Sequence, residues 1–319
     1  MHIALVSNHL HPVKLYGGTE RIVEWLAQGL VTQGHKVTLI AKTGSTLPGV
    51  TVKHAATADE ANSIIPDCDL VHYHGWLPTT EQYPQRYLYT LHGNEPQISS
   101  LPEFTACISD NHAKRHNQSY WVYNGIHVDE FEFSAKPLNH LLFFSKIRRR
   151  NKGARLAVDL CADRSIPLIM AGGSRADLIK VGAFWRSVFS RVEILGEIGG
   201  QAKADAFKQA RALIFPIQWQ EPFGLVMIES LMSGTPVIAK PEGSVPEIIS
   251  REVGGLFSSV DEFDLALEQA KRADRMYCRE YAVEHFSSEV MCKTYLSVYT
   301  QILDGTPSQK LTGSQRTVS

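Results

Sequence analysis

Short apolar segments alternate with helical patterns along most of the chain, and this alternation restricts the possible folds more than any other feature. Each segment is almost solidly apolar, as expected for strands of a parallel sheet that is covered by helices on both faces. Residues 19–34 between the first two segments have apolar residues at helical spacing. The first series of predicted strands is HIALVSN (2–8), HKVTLIAK (35–42), DLVHYHG (69–75), RYLYTLHG (86–93), FTACIS (104–109) and YWVYNGI (120–126).

A second series of the same kind begins after residue 139. Helices are predicted at 153–165, 202–211 and 224–233, and residues 260–303 have a helical pattern throughout. The predicted strands of this series are HLLFFSKI (140–147), IPLIMAGG (166–173), RVEILGEI (191–198), ALIFPI (212–217) and PVIAK (236–240). Two successive series predict an α/β protein with two doubly wound domains and a cleft between them.

The length of 319 residues suits two domains of ordinary size. We expect a first domain over 1–135 and a second over 136–285, with a hinge near 132–139. A last helix at 286–303 is expected to pack back toward the first domain. The tail 304–319 is polar and is predicted to be disordered.

The charge and the cysteines exclude several classes of protein. There are 32 basic and 33 acidic side chains, so no global field favours nucleic acid. No apolar run reaches membrane-spanning length, so membrane contact is expected to be peripheral at most. The number of cysteines is odd and no CxxC occurs, which is typical of free thiols in a reducing, cytoplasmic protein. The start, MHIALVSNH, lacks the basic region of a signal peptide.

Two carboxylates in the segment 217–247 mark a candidate site. Glu229 lies inside an apolar helical run, where an unpaired carboxylate is costly to bury. It could accept hydrogen bonds from a vicinal diol such as a ribose, or it could pair with a buried Arg or Lys. Glu221 precedes the helix, and Pro222 suits a first helical position. The start of such a helix offers free N–H groups to an anion.

The same segment, EPFGLVMIESLMSGTPVIAKPEGSVPE, resembles the E-x7-E segment of the retaining GT-B glycosyltransferases of family 4, also called group 1. The likeness covers nearly the whole chain. The family's opening Gly-Gly loop and helix resemble LYGGTERIVEWLAQGLVTQGHKVTLIA, and its middle strands resemble LVHYHGW, YTLHGN and VYNGIHVDEF. The nucleotide-binding half resembles LGEIGGQAKADAFKQARALIFPIQWQEPFG. The resemblance implies the GT-B fold, with two Rossmann-like domains facing across a cleft and C-terminal helices.

It also implies an activity. The chain would be a retaining hexosyltransferase that moves a sugar from a nucleotide-diphosphate sugar to an acceptor hydroxyl. The first domain would take the acceptor (a saccharide, lipid or small molecule), and the second the donor, with UDP as the expected nucleotide. No metal or other cofactor is expected. The alternatives are an epimerase or phosphorylase on the same scaffold, or a non-catalytic nucleotide-sugar binding protein, because a fold does not fix function.

The donor-binding residues in the E-x7-E segment are carried over by position. Glu229 would bind the ribose hydroxyls, and Glu221 would hold a hydroxyl of the donor sugar. Backbone N–H groups of Phe223, Gly224 and Leu225 would bind sugar or phosphate.

Other positions of the resemblance lie elsewhere in the chain. Gly17 and Gly18 would face the diphosphate, and the backbone near Gly172 and Ile198 would line the pocket for the base. His92, at the end of a predicted strand, would lie near the reacting carbon. A dinucleotide fingerprint is not present, since no GxGxxG follows the first strand.

The basic stretch SKIRRRNKG (145–153) leaves one assignment open. Lys152 matches the family's diphosphate-binding lysine and, with His92 and Glu221, completes the expected catalytic set. The family has Gly-Arg five residues before this lysine, whereas Ser145-Lys146 stands here six before it. Either Lys146 or Arg148 would then contact the diphosphate, and the two are not equivalent because only Arg can bind two oxygens with a planar fork.

Two patterns suggest metal ligands. Asp67-Cys68-Asp69 is a literal DxD, which in glycosyltransferases of the other major fold binds a metal and the diphosphate. Here it precedes an apolar strand, and Asp67 is interpreted as a turn residue. His72 and His74 share one face of a strand but lack a third ligand at metal spacing, so a structural role is predicted.

Overall fold

The computed structural model describes residues 1–13, 17–94 and 100–305. The chain divides into two compact units. The first contains residues 1–127 together with C-terminal residues from Phe286, and the second contains residues 128–285. The tail that is predicted to be disordered begins at residue 304, and its residues from 306 onward lie outside the described part of the chain.

The first unit is built on a parallel sheet that has seven strands among the described residues, in the order β3-β2-β1-β4-β5-β6-β7. Its helices are α1 (Gly18–Thr32), α2 (Ala58–Ser63) and α3 (Asp110–Arg115). Its strands are β1 (His2–Val6), β2 (Lys36–Lys42), β3 (Thr51–Ala55), β4 (Leu70–Tyr73), β5 (Tyr87–Thr90), β6 (Thr105–Cys107) and β7 (Tyr120–Trp121).

The central strand β1 shows why these segments fold in this way. Its last four residues, Ile3 to Val6, are all buried, since helices cover both faces of the sheet. Ile3 lies opposite Val37 of β2 on one side and Leu70 of β4 on the other. Helix α1 buries its apolar face, and it begins at Gly18, one residue earlier than predicted.

The second unit has a six-stranded parallel sheet among its described residues, in the order β10-β9-β8-β11-β12-β13. Its strands are β8 (Leu141–Phe144), β9 (Leu168–Ala171), β10 (Val192–Gly196), β11 (Ala212–Phe215), β12 (Val237–Ala239) and β13 (Gly254–Leu256). Its helices are α4 (Ala154–Asp163), α5 (Asp177–Lys180), α6 (Phe184–Val188), α7 (Gly200–Gln209), α8 (Leu225–Met232), α9 (Val245–Ile248), α10 (Phe263–Arg272) and α11 (Arg275–Phe286). A 3-10 turn at Arg150–Lys152 precedes α4.

The C-terminal helix α12 (Ser288–Leu303) belongs to the first unit. The backbone returns to that unit beside Ile126, whose N–H donates to Phe286 and whose carbonyl accepts from Ser288. Farther along the helix, the hydroxyl of Tyr299 lies 2.7 Å from His72 Nδ1 in the buried core. The first unit is therefore formed by two separate parts of the chain.

The boundary between the units falls at 127/128, which differs from the expected boundary at 135/136. Residues 128–135 are fixed to the second unit by polar contacts. The Glu132 carboxylate accepts a hydrogen bond of 2.8 Å from Gln201 and pairs with Lys208. The carbonyl of Ser134 accepts from Arg275 at 2.7 Å. These contacts join residues distant in sequence, so no local pattern could have shown them.

No helix in the described part of the chain is both long enough and apolar enough to cross a membrane.

Candidate active site

The strand order of the second unit brings two loops together at one edge of its sheet. β8 and β11 are neighbours although they are not consecutive, so the chain leaves them in opposite directions across the sheet. Open α/β sheets bind ligands at the carboxyl ends of such a pair of strands. Lys152 lies on the loop after β8, and Glu221 lies on the loop after β11.

Glu221 is held at this edge by two donors. Its Oε2 accepts from Lys152 Nζ at 2.7 Å and from the indole Nε1 of Trp219 at 2.8 Å. The Lys152 ammonium also lies 4.9 Å from the centre of the Trp219 ring. The backbone is fixed as well, because the Glu221 carbonyl accepts from the N–H of Ser244 at 3.0 Å. The carboxylate is thus neutralised and rigidly oriented.

Glu229 projects from α8 and pairs with Lys203 of α7. Both side chains are nearly buried, at 8% and 14% exposure respectively. The Lys203 ammonium is also surrounded by the rings of Phe131, Phe144 and Phe207, whose centres are 5.5–5.9 Å away. The pairing that the sequence left open for Glu229 is therefore present, and its partner is Lys203.

The two carboxylates share a property that bears on their chemistry. Each uses one oxygen for its lysine: Oε2 in Glu221 and Oε1 in Glu229. The other oxygen of each makes no hydrogen bond to any described residue. An ionised carboxylate can only accept hydrogen bonds. Both free oxygens are thus suited to hydroxyl groups of a ligand.

The start of α8 lies between the two carboxylates in sequence. The helix begins at Leu225, after Gly224. Pro222 therefore precedes the helix, whereas the sequence predicted it as the first helical residue. Gly224 has φ +83°, and a Cβ there would lie 2.8 Å from Met227 Cε. Phe223 is buried. The N–H of Met227 donates to the Gly224 carbonyl at 2.9 Å. The N–H of Leu225, the first helical residue, has no intrahelical acceptor and is able to bind an anion.

The loops after β8, β9 and β10 carry the remaining predicted donor residues. Lys146 and Arg148 are both exposed on the loop after β8, so the structure does not choose between them. Gly172 follows β9 with φ +105°, and a Cβ there would lie 2.2 Å from the carbonyl oxygen of Ser145. Its N–H donates to the Gly196 carbonyl at 2.8 Å. Ile198, two residues beyond β10, is half-buried.

The Gly-Gly pair opens α1 in the first unit. Gly18 is the first helical residue, and Gly17 is the residue before it. The Glu20 carboxylate lies beside Gly17, and its Oε1 is 3.1 Å from His9 Nδ1. This contact with His9 lowers the pKa of Glu20.

His92 lies two residues beyond β5, also in the first unit. Its Nε2 is 2.9 Å from Nδ1 of His74, which directly follows β4. Burial, followed by repulsion from other histidines, lowers the pKa of His92 to about 3, and burial holds that of His74 well below its ordinary value. In a pair of neutral imidazoles at this distance, one nitrogen donates its N–H and the other accepts it. The tautomer of His74 therefore determines that of His92.

The two suspected metal patterns have other contacts. Asp69 Oδ2 accepts from the N–H of His2 at 2.7 Å, and the Asp67 carbonyl lies 2.9 Å from His2 Nδ1. Both aspartates thus lie at the amino end of the sheet, away from the edge that bears His92. His72 is buried between the hydroxyls of Tyr299 and Thr90. In the part of the chain that the structure describes, no three His, Cys, Asp or Glu side chains converge as a metal site would require.

Within the second unit, the structure brings Lys152 into contact with Glu221 but joins Glu229 to a residue that sequence reasoning missed. Lys203 and Trp219 both contact a predicted site residue directly. The available signal for Lys203 was its position in the helical run AKADAFKQA. A lysine beside the apolar face of a helix is unusual and indicates a buried acidic partner. Gly17, Gly18 and His92 belong to the first unit.

Residues 129–282 match the family described as glycosyl transferases group 1. An uncharacterised glycosyltransferase of Methanocaldococcus jannaschii is 22% identical to this chain and aligns with 81% of it and 85% of its own length.

Solved structures resemble the whole fold. AviGT4, a glycosyltransferase involved in avilamycin A biosynthesis, superposes with a TM-score of 0.80 at 23% identity, covering 95% of this chain and 98% of its own. The Anabaena protein HepE in complex with UDP-glucose superposes with a TM-score of 0.70 at 14% identity, covering 94% and 100%. These likenesses confirm the predicted GT-B fold class of two parallel sheets with flanking helices.

Proposed function

We propose that this chain is a glycosyltransferase that takes its sugar from a nucleotide-diphosphate donor and keeps the anomeric configuration, because residues 129–282 match the glycosyl transferases group 1 and the chain has the GT-B fold. The acceptor is an alcohol. The donor lies on the carboxyl edge of the second sheet.

The observation that carries this proposal is the pair of lysine-bound carboxylates. Glu221 and Glu229 flank the start of α8, and each has one oxygen without a partner among the described residues. A donor of this class carries hydroxyls on its sugar and on its ribose, with the diphosphate between them. Glu221 would accept from the sugar and Glu229 from the ribose, while the N–H groups of the α8 start would face the diphosphate.

The charge balance of the site supports diphosphate binding by the basic loop. Lys152 and Lys203 each neutralise a carboxylate, so the two pairs together carry no net charge. The excess positive charge comes from the exposed Lys146 and Arg148 after β8, with the partial charge of the helix start. Lys152 still has two N–H bonds to offer, since its ammonium has three donors.

The engagement of Glu221 supports a same-face substitution. A double displacement would need a carboxylate to attack the anomeric carbon. In the proposed site Oε2 of Glu221 is bound by Lys152 and Trp219, and its other oxygen accepts from a hydroxyl of the donor sugar, so Glu221 is not assigned as that nucleophile. In the proposed reaction the bond from the anomeric carbon to the phosphate oxygen breaks while the acceptor oxygen approaches the same face. The departing phosphate oxygen takes the acceptor proton. Catalysis then consists of positioning and of stabilising the charge on the leaving diphosphate.

We assign UDP as the nucleotide, on the support of HepE, which has the same fold and was solved with UDP-glucose. No metal is assigned, because basic side chains and backbone N–H groups can stabilise the diphosphate instead. Full activity in EDTA is expected, and a loss of activity that manganese restores would contradict this part of the proposal.

The test begins with the free nucleotides. Thermal unfolding is measured with UDP, GDP, ADP and dTDP and with the corresponding nucleotide-diphosphate sugars, all in EDTA. UDP and UDP-sugars are expected to stabilise the chain most. The best donor is then incubated with a panel of alcohols, and products are identified by mass spectrometry and their anomeric configuration by NMR.

Product that forms only when an alcohol is present supports transfer. A new sugar nucleotide formed without an alcohol would indicate an epimerase, and dependence on inorganic phosphate would indicate a phosphorylase. Tight donor binding without turnover on any alcohol would indicate a binding protein, and an inverted anomeric centre would overturn the retaining mechanism.

A further inference from the structure

Residues 179–189 of the second unit expose an unusual amount of apolar surface. We define the aromatic patch as Ile179 of α5, Trp185 and Val188 of α6, and Phe189, which directly follows α6. These side chains are 63%, 71%, 45% and 83% exposed. The rings of Trp185 and Phe189 are stacked, with their centres 6.4 Å apart. Large apolar groups gathered on a surface mark a site of interaction, whereas scattered ones need no explanation.

Basic side chains border the aromatic patch. Lys180 lies within residues 179–189, and Arg191 lies two residues beyond Phe189; both are exposed. The Arg150 guanidinium donates to the Lys180 carbonyl at 3.3 Å and so joins the RRR segment at 148–150 to α5. Among the nearby acids, Asp163 pairs with Arg186, and Asp177 of α5 lies near Lys180 and Arg148 and offsets only one of the positive charges. The border therefore carries a positive charge.

We propose that the aromatic patch docks on an anionic lipid surface. Trp and Phe are suited to the interface between headgroups and acyl chains, and Lys or Arg near that surface is attracted to anionic lipids. Apolar insertion and basic attraction are two separate contributions, and reversible peripheral binding requires such a combination.

A second copy of the chain fits the same surface less well. A symmetric contact would place the patch of one copy against the patch of the other. Lys180, Arg191 and the 148–150 segment would then face their own equivalents, and like charges brought together oppose association. The proposal concerns the second unit alone and does not depend on the donor chemistry.

The test uses the full chain and vesicles of phosphatidylcholine, with or without about one-third phosphatidylglycerol. Co-sedimentation is expected with the anionic vesicles only and should weaken as salt is raised. Trp185→Ser combined with Phe189→Ser should lower the vesicle-bound fraction about tenfold or more, because it removes the inserted rings. Lys180→Gln combined with Arg191→Gln should lower it as well and reduce the salt dependence.

Leu265→Ser is the matched control, since Leu265 lies on α10 with a similar exposure of 64%. It should bind vesicles like the wild type, and the thermal unfolding of every variant should match the wild type. Absence of vesicle binding would overturn the proposal, as would equal binding by the Trp185 and Phe189 variant. Self-association that this variant abolishes, without any vesicle binding, would instead identify a second copy as the occupant.

Discussion

Glu229 is the residue in which burial, charge and binding meet most closely. An apolar helix tolerates this carboxylate because Lys203 neutralises it, and three phenylalanine rings surround that lysine. The pair leaves one carboxylate oxygen for a ligand. The structural role and the proposed ribose contact thus coexist in one side chain, and they can be separated by mutation.

Glu229→Gln should lower the free energy of unfolding by about 3 kcal/mol, because it leaves the buried Lys203 ammonium without its counter-charge. Adding Lys203→Met should recover most of that loss, since no charge then remains. Affinity for UDP should stay low in the double variant if Glu229 binds the ribose. Urea denaturation and titration calorimetry measure the two effects, and recovery of wild-type affinity in the double variant would refute the ribose contact.

The pair of Glu132 and Lys208, whose side chains are 49% and 22% exposed, provides a control for this experiment. Glu132→Gln removes one member of a solvent-screened pair, so the free energy of unfolding should change far less than for Glu229→Gln. A comparable loss of unfolding free energy at both positions would mean that burial does not account for the effect of Glu229→Gln on stability.

At the scale of secondary-structure elements, β4 and α12 form a buried polar contact in the first unit. His72 lies between Thr90 and Tyr299, and its ring centre is 4.0 Å from that of His74. Burial lowers the pKa of both histidines well below the ordinary value. It also lowers that of His112 to about 4. These side chains are therefore neutral in the folded unit.

Acidification should destabilise the first unit before its carboxylates titrate. In the unfolded chain a histidine binds a proton below about pH 6.5, whereas in the folded unit His72, His74 and His92 remain neutral to a lower pH. The unfolded state thus binds more protons, and stability is lost as the pH falls from 6.5 toward 5. Each such histidine contributes at most about 1.4 kcal/mol per pH unit.

Urea denaturation between about pH 5 and 6.5 measures this dependence. His72→Gln is expected to make the slope shallower by about one proton, whatever it does to stability at pH 7. A flat wild-type profile over this range, or an unchanged slope in the variant, would show that these histidines are not held neutral.

At the scale of the whole molecule, the chain forms two units with separate cores, and the first unit depends on both ends of the chain. Tyr299→Phe removes the hydrogen bond to His72 from α12. The loss of about 1 kcal/mol should speed amide hydrogen exchange in β1, β4 and β5 about fivefold. Exchange in β8, β11 and β12 should not change.

Tyr277→Phe is the control, since Tyr277 is 44% exposed on α11 of the second unit. It should leave the exchange of both sheets unchanged. Faster exchange in the strands of both units for Tyr299→Phe would mean that the units do not unfold separately.

Much of this architecture follows from the sequence. Solid apolar runs such as LLFF of β8 and ALIF of β11 predict buried parallel strands, and the structure has them. Strand β3, TVKHA, was missed because only one of its five residues is buried at the sheet edge and it lacks an apolar run. Strand β13, GGL, was missed because two of its three residues are glycine.

The partners within the candidate site could not be predicted in the same way. The contact of Glu229 with Lys203 joins residues 26 positions apart, and that of His74 with His92 joins residues 18 apart. Each depends on how two elements pack in three dimensions. The motif therefore predicts which residue types are present at the site, whereas their pairing requires the fold.

The most direct test of the account is whether Glu229 recognises a ribose. Titration calorimetry compares the nucleoside diphosphate that stabilises the chain most with its 2′-deoxy form. A hydrogen bond to a charged group is worth about 1.5–3 kcal/mol, so the wild type should prefer the ribose form by about tenfold or more. Glu229→Gln should lose most of that preference. Equal affinities in the wild type, or a preference that Glu229→Gln retains in full, would contradict the proposed donor site.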